Sequence, residues 1–107
     1  MHIHKKGNTV IVKPASDSLA DFAEKLIASN EFVDKNLVID LLSAGALRPD
    51  QFEVFSAVKK YQKKAKKSML IVADTDYNKT AKMNVVPTLQ EAHDMIEMDE
   101  IERDLGF

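Results

Sequence analysis

Asp74-Thr75-Asp76-Tyr77-Asn78 places two acids two residues apart directly after an apolar run, a pattern that suits calcium or an aspartyl-phosphate reaction. As a calcium loop, D-x-D-x-N, it breaks down at the sixth position, where Lys79 replaces the turn glycine. It breaks down again at the twelfth, where Val85 replaces the bidentate glutamate. As a small metal-dependent phosphatase, Asp74 would be the nucleophile and Asp76 the acid/base. That chemistry also needs a lysine and a later pair of magnesium-binding acids, and 107 residues are too few for the domain that carries them. The plainer expectation is a polar turn whose side chains bond their own backbone. His2 and His4 lie two apart, so on a strand both imidazoles face one side. His93 is the only other histidine, so a metal site here lacks ligands, and an exposed terminal strand is the expectation.

Lys59, Lys60, Lys63, Lys64, Lys66 and Lys67 fall within nine residues and could grip phosphates, with binding that weakens steeply in salt. Tyr61 is the one aromatic among them, and its spacing fits the buried stripe of a helix, which leaves no platform for base stacking. A solvated helix face is therefore the preferred reading, with an RNA-binding accessory role on Lys59, Lys60, Lys63, Lys64 and Lys67 as the alternative. With three glycines and no G-x-x-x-x-G-K-[ST] or G-x-G-x-x-G, the chain has no phosphate cradle of those kinds. Leu42-Ser43-Ala44-Gly45 lacks the first glycine of a nucleophile elbow. There is no cysteine, which removes disulfides, thiol catalysis and cysteine metal sites. No cofactor is expected.

The elements that must position these residues are read from periodicity. Ile3-His4-Lys5 and Thr9-Val10-Ile11-Val12 flank Gly7-Asn8, a short hairpin that Pro14 ends. Ser16-Asp17-Ser18 supplies helix caps, and Leu19, Phe22, Ala23, Leu26 and Ile27 recur at helical spacing. Residues 36–42 are apolar almost throughout, a strand covered on both faces. Arg48-Pro49-Asp50 opens a second helix with Val54, Phe55, Val58, Tyr61 and Ala65 as its buried stripe. Residues 68–73 form another buried strand, 74–82 a polar loop and 83–86 a short strand. Thr88 and Glu91 then make a capping box that opens a third helix. The order is β-β-α-β-α-β-β-α over a single domain, residues 1–107. It predicts an α/β fold with a mixed sheet of four to five strands and three to four helices.

The net charge of -2 hides a polarised chain, basic near residue 63 and acidic from Glu91 to Asp104. Met98, Ile101 and Leu105 share one face of the acidic tail. Docking of this helix on the sheet is preferred, with self-association into a homodimer or pairing with a basic partner as the alternative, and Phe107 could anchor either. No apolar run is long enough for a membrane span, and the N-terminus lacks the apolar core of a secretory signal, so a soluble cytoplasmic protein is expected.

Asn36-Leu37-Val38-Ile39-Asp40-Leu41, followed by a loop and a helix, resembles the central strand of STAS domains, which sulphate transporters and anti-sigma factor antagonists share. Val86-Pro87-Thr88-Leu89-Gln90-Glu91-Ala92 is similar to the closing segment of the same family, and the order of elements matches along nearly the whole chain. The resemblance implies a STAS-like domain that binds another protein at the start of its second helix, at Ser43, Arg48, Pro49, Asp50 and Gln51. The family's D-S-S-G falls on Arg48-Pro49-Asp50-Gln51, so Asp50 stands where those domains carry the phosphorylated serine. An aspartate holds about one negative charge against the roughly 1.5 to 2 of a phosphoserine. The expected function is a non-catalytic regulatory module without that switch. Short bacterial chains with such tails are sometimes labelled ribonuclease Z, but the H-x-H-x-D-H zinc motif of that nuclease is absent here.

Overall fold

A computed structural model describes residues 1–29, 32 and 34–106. Phe107, the suggested anchor of the tail, lies outside the described residues. The sheet begins with β1 (His2–Lys6) and β2 (Thr9–Lys13), an antiparallel hairpin. Gly7 alone takes positive φ in its turn (58°), as a type II′ connection requires of its first central residue. The chain then runs through α1 (Leu19–Ala28), β3 (Asn36–Asp40), a long helical segment, β4 (Met69–Val72), two short turns, β5 (Val85–Val86) and α3 (Leu89–Asp104). The long segment is 3₁₀ over Pro49–Phe55 and α-helical as α2 over Ser56–Lys64. The strands lie in chain order, β1-β2-β3-β4-β5, and every pair after the hairpin is parallel. The α/β class and the mixed sheet are as expected.

Because the strand order never reverses, right-handed crossovers put α1 and α2 on the same face. There Phe22, Ala23 and Leu26 of α1 meet Phe52, Phe55 and Val58 over Val10, Val12, Leu37, Ile39 and Ile71. Phe22 and Phe55 meet edge to face, with centroids 6.1 Å apart. α3 covers the opposite face, where Ala92 and Ile96 pack on Val38, Leu70, Val72 and Val86.

The helix starts match the expected caps. Ser18 Oγ accepts from Asp21 N, and Thr88 Oγ1 accepts from Glu91 N. The buried stripe of the second helix is different from the predicted one. Phe52, Phe55, Val58 and Gln62 are buried, whereas Val54 and Tyr61 are exposed. The cause is the 3₁₀ stretch: it advances about 120° per residue rather than 100°, so Phe52 and Phe55 eclipse each other and the α-helical phase assumed from sequence is shifted. Ile27 likewise lies outside the buried face of α1, and Leu42 lies beyond the end of β3 in an exposed turn.

Candidate functional site

Lys13 and Asp40 close β2 and β3, and Asp74 follows two residues after the end of β4. Asp40 is only 4% exposed. Its Oδ1 accepts from Leu42 N at 3.1 Å, and Lys13 Nζ stands 3.6 Å from its Oδ2. Both interactions offset the cost of burying a carboxylate, which is high for a polar group left without partners. The turn Leu42–Ala44 is thereby pinned to the end of β3, and Gly45 (φ 74°) redirects the chain. Ala46 pairs with Asp74 as an isolated parallel bridge, Leu47 N donates to Asp74 O at 2.8 Å, and Thr75 Oγ1 donates to Leu47 O at 2.6 Å. The loop from β3 to the second helix is thus stitched to the end of β4.

This stitched loop brings the predicted partner-binding residues together. Ser43 is exposed on the pinned turn, and Arg48-Pro49-Asp50-Gln51 open the 3₁₀ stretch. Gln51 Oε1 accepts from Arg48 N at 2.8 Å, which closes the helix start. Arg48 Nε donates to Asp50 Oδ1 at 3.2 Å, with both side chains largely in solvent. Leu42 adds an exposed apolar side chain to the same shelf.

Asp76 Oδ1 accepts from Asn78 N, and Asp74 is exposed with its carbonyl on the Leu47 amide. The segment is a turn bonding its own backbone, as the plainer reading expected. His2 and His4 are exposed on β1, opposite Lys13 and Ile11, while His93 is half-buried on α3. Among the described residues, no three histidine, aspartate or glutamate side chains converge as a metal site.

Further along the same helical segment, the lysines line two depressions that share Lys63. Lys60, Tyr61, Lys63 and Lys64 bound an open one of about 590 Å³. Lys59, Lys63, Lys67, Asn84, Asp99 and Arg103 line a second of about 270 Å³. Tyr61, expected in the core, is 48% exposed.

Sequence reasoning missed a polar lock beneath that surface. Asn36 is 1% exposed; its Oδ1 accepts from Ser68 N (2.9 Å) and Arg103 Nη2 (3.4 Å), and its Nδ2 donates to Glu100 Oε1 (3.0 Å). Ser68 Oγ donates to Asp99 Oδ2 at 2.8 Å and accepts from Arg103 Nη1 at 3.2 Å. The signal in the sequence was a pair of small polar residues heading two otherwise apolar strands. No helix among the described residues is long and apolar enough to cross a membrane. No family model, curated protein or solved structure matches the chain.

Proposed function

We propose that the chain is a non-catalytic, STAS-like protein-interaction module whose partner meets the shelf formed by Leu42, Ser43, Arg48, Pro49, Asp50 and Gln51. One observation carries this reading: an eight-residue connection (residues 41–48), which would ordinarily be mobile, is held by side chains and backbone from two neighbouring strands while its outer surface stays exposed. A loop ordered in advance loses less entropy when a partner docks, and exposed loops on rigid scaffolds are where recognition concentrates. The sequence resemblance to anti-sigma factor antagonists implies a contact in the same loop and supports this reading.

Asp50 supports a constitutive rather than a switched contact. Its charge needs no kinase, and Arg48 Nε lies 3.2 Å from its Oδ1. Exposed pairs of this kind contribute at most about 1 kcal/mol, so a partner can exchange the pair for contacts of its own. The test is affinity capture from cytosol of a native host with three baits: wild type, Asp50→Lys and Lys60→Glu. The reading expects a discrete protein held by wild type and Lys60→Glu and lost by Asp50→Lys. Equal retention by Asp50→Lys would refute the site.

A further inference from the structure

The lysine-rich surface differs from an ordinary solvated helix face at Tyr61. Tyr61 is 48% exposed and lines the open depression together with Lys60, Lys63 and Lys64; it also borders a small crevice lined by Leu26 and Val58 at the rim of the core. A half-exposed ring set among cations offers a base a surface to stack on and its phosphates a counter-charge. Lys60 and Lys64 are one helical turn apart, about 6 Å along the axis, so their ammonium groups can follow successive charges on an extended chain. The cationic surface continues through Lys59, Lys63 and Lys67 to Arg103. The acid in that groove, Asp99, is committed to Ser68 Oγ at 2.8 Å.

Backbone strain lies within the same surface. Lys66 holds a left-handed conformation (φ 58°) where α2 ends, with Lys67 N bonded to Gln62 O and Lys66 N to Lys63 O. That is a Schellman closure, a position glycine fills without steric cost. A lysine kept there retains a charge at the expense of strain, and such strain concentrates at functional surfaces.

We infer that this surface binds single-stranded nucleic acid, with Tyr61 stacked on an unpaired base and Lys60, Lys63 and Lys64 on the flanking phosphates. A duplex offers no free base face to the ring, which favours a single strand. An acidic protein helix would use the charges but leave the ring without a stacking partner. No residue of the Arg48–Asp50 shelf lines either depression, so the surface adds a second ligand to the proposed module.

The test is fluorescence anisotropy with a labelled uridine oligonucleotide, using the full chain at rising salt. Three phosphate contacts predict an affinity loss of roughly 20-fold between about 50 and 200 mM salt. Tyr61→Ala should weaken binding by about 5- to 150-fold, the range for one base–aromatic stack, whereas Tyr61→Phe stays within about twofold of wild type. Lys60→Gln with Lys64→Gln should flatten the salt dependence and leave the Tyr61→Ala effect in place. All of these side chains are exposed, and circular dichroism verifies that each variant folds. Absence of binding at about 50 mM salt, where phosphate contacts are strong, overturns the inference. So does wild-type affinity in Tyr61→Ala, or displacement of the oligonucleotide by a polyglutamate peptide at equal charge concentration, which would assign the surface to an acidic protein.

Discussion

On one face of the sheet, α1 and the continuous 3₁₀ and α2 segment lay Phe22, Phe52, Phe55 and several aliphatic side chains across four strands. On the other, α3 seats only Ala92 and Ile96, with Leu89 at the margin, over β3, β4 and β5. Its C-terminal turns are held by Asp99, Glu100 and Arg103 reaching Asn36 and Ser68. The β1–β2 end of that face is open, with His2, His4, Ile11 and Lys13 around a shallow depression. The first face is closed by apolar area, which is non-directional and tolerant of small shifts. The second is closed by directional hydrogen bonds, which fix one docking angle and fail as a unit when a member is lost. The stability of the domain should therefore rest on the first face, and the positioning of the acidic helix on the second.

The sharpest way to break this contrast is Phe55→Ala. Phe55 is fully buried and meets Phe22 edge to face. Truncation should cost about 3–5 kcal/mol, a large share of the roughly 5–15 kcal/mol that holds a small domain together. Urea denaturation followed by circular dichroism measures it. The contrast requires a larger loss than for Ile96→Ala, which removes fewer atoms from the thinner layer; equal losses would mean that the two faces share the load.

A smaller effect, confined to one helix, should follow Asn36→Ala. The substitution strands Ser68 N–H and removes a partner of both Arg103 and Glu100, a cost of about 1–3 kcal/mol. Because two of the three bonds reach the end of α3 and the third joins two strands already paired along their length, the loss should be concentrated in that helix end. Amide exchange over residues 97–104 should quicken while that of α1 stays unchanged. Uniform acceleration in both helices would show that the polar lock supports the whole domain.

The same contrast explains how much of the molecule was legible in its sequence. The elements of the apolar face were readable because buried strands and helix stripes announce themselves by period. The β3 and β4 cores lie where unbroken apolar runs put them, and Ser18 and Thr88 cap the helices that their types predict. Phase was not readable through Pro49–Phe55. Nothing in P-D-Q-F-E-V-F distinguishes 3₁₀ from α winding, so Val54 and Tyr61 were assigned to the core in place of Phe52 and Gln62. Gln62 is buried because its amide donates to Lys35 O and Ser68 O, acceptors that only the folded chain supplies. The shelf was legible as a set of neighbours in sequence; its attachment through Asp40, Asp74 and Thr75 joins residues up to 28 apart and emerges only from the register of β3 on β4.

The smallest expected effect tests the outer side of α3. Met98, Ile101 and Leu105, grouped on one face by their spacing, are 60%, 58% and 65% exposed, so the helix docks on the sheet without them. Replacing Met98 and Ile101 together with glutamine removes apolar groups already in water. If the chain is monomeric, stability should change by less than about 0.5 kcal/mol, in line with exposed sites lacking specific contacts. The measurement is thermal unfolding at two protein concentrations differing a hundredfold. A wild-type midpoint that rises with concentration, and a double variant that has lost this dependence, would mean that these side chains are buried against a second copy, because an associating species is stabilised by mass action. Such a dimer would juxtapose Asp94, Glu97 and Glu102 from two acidic helices, so it should also strengthen as salt screens their repulsion. That salt response is opposite in sign to the one expected of the lysine surface, and a single titration series separates the two.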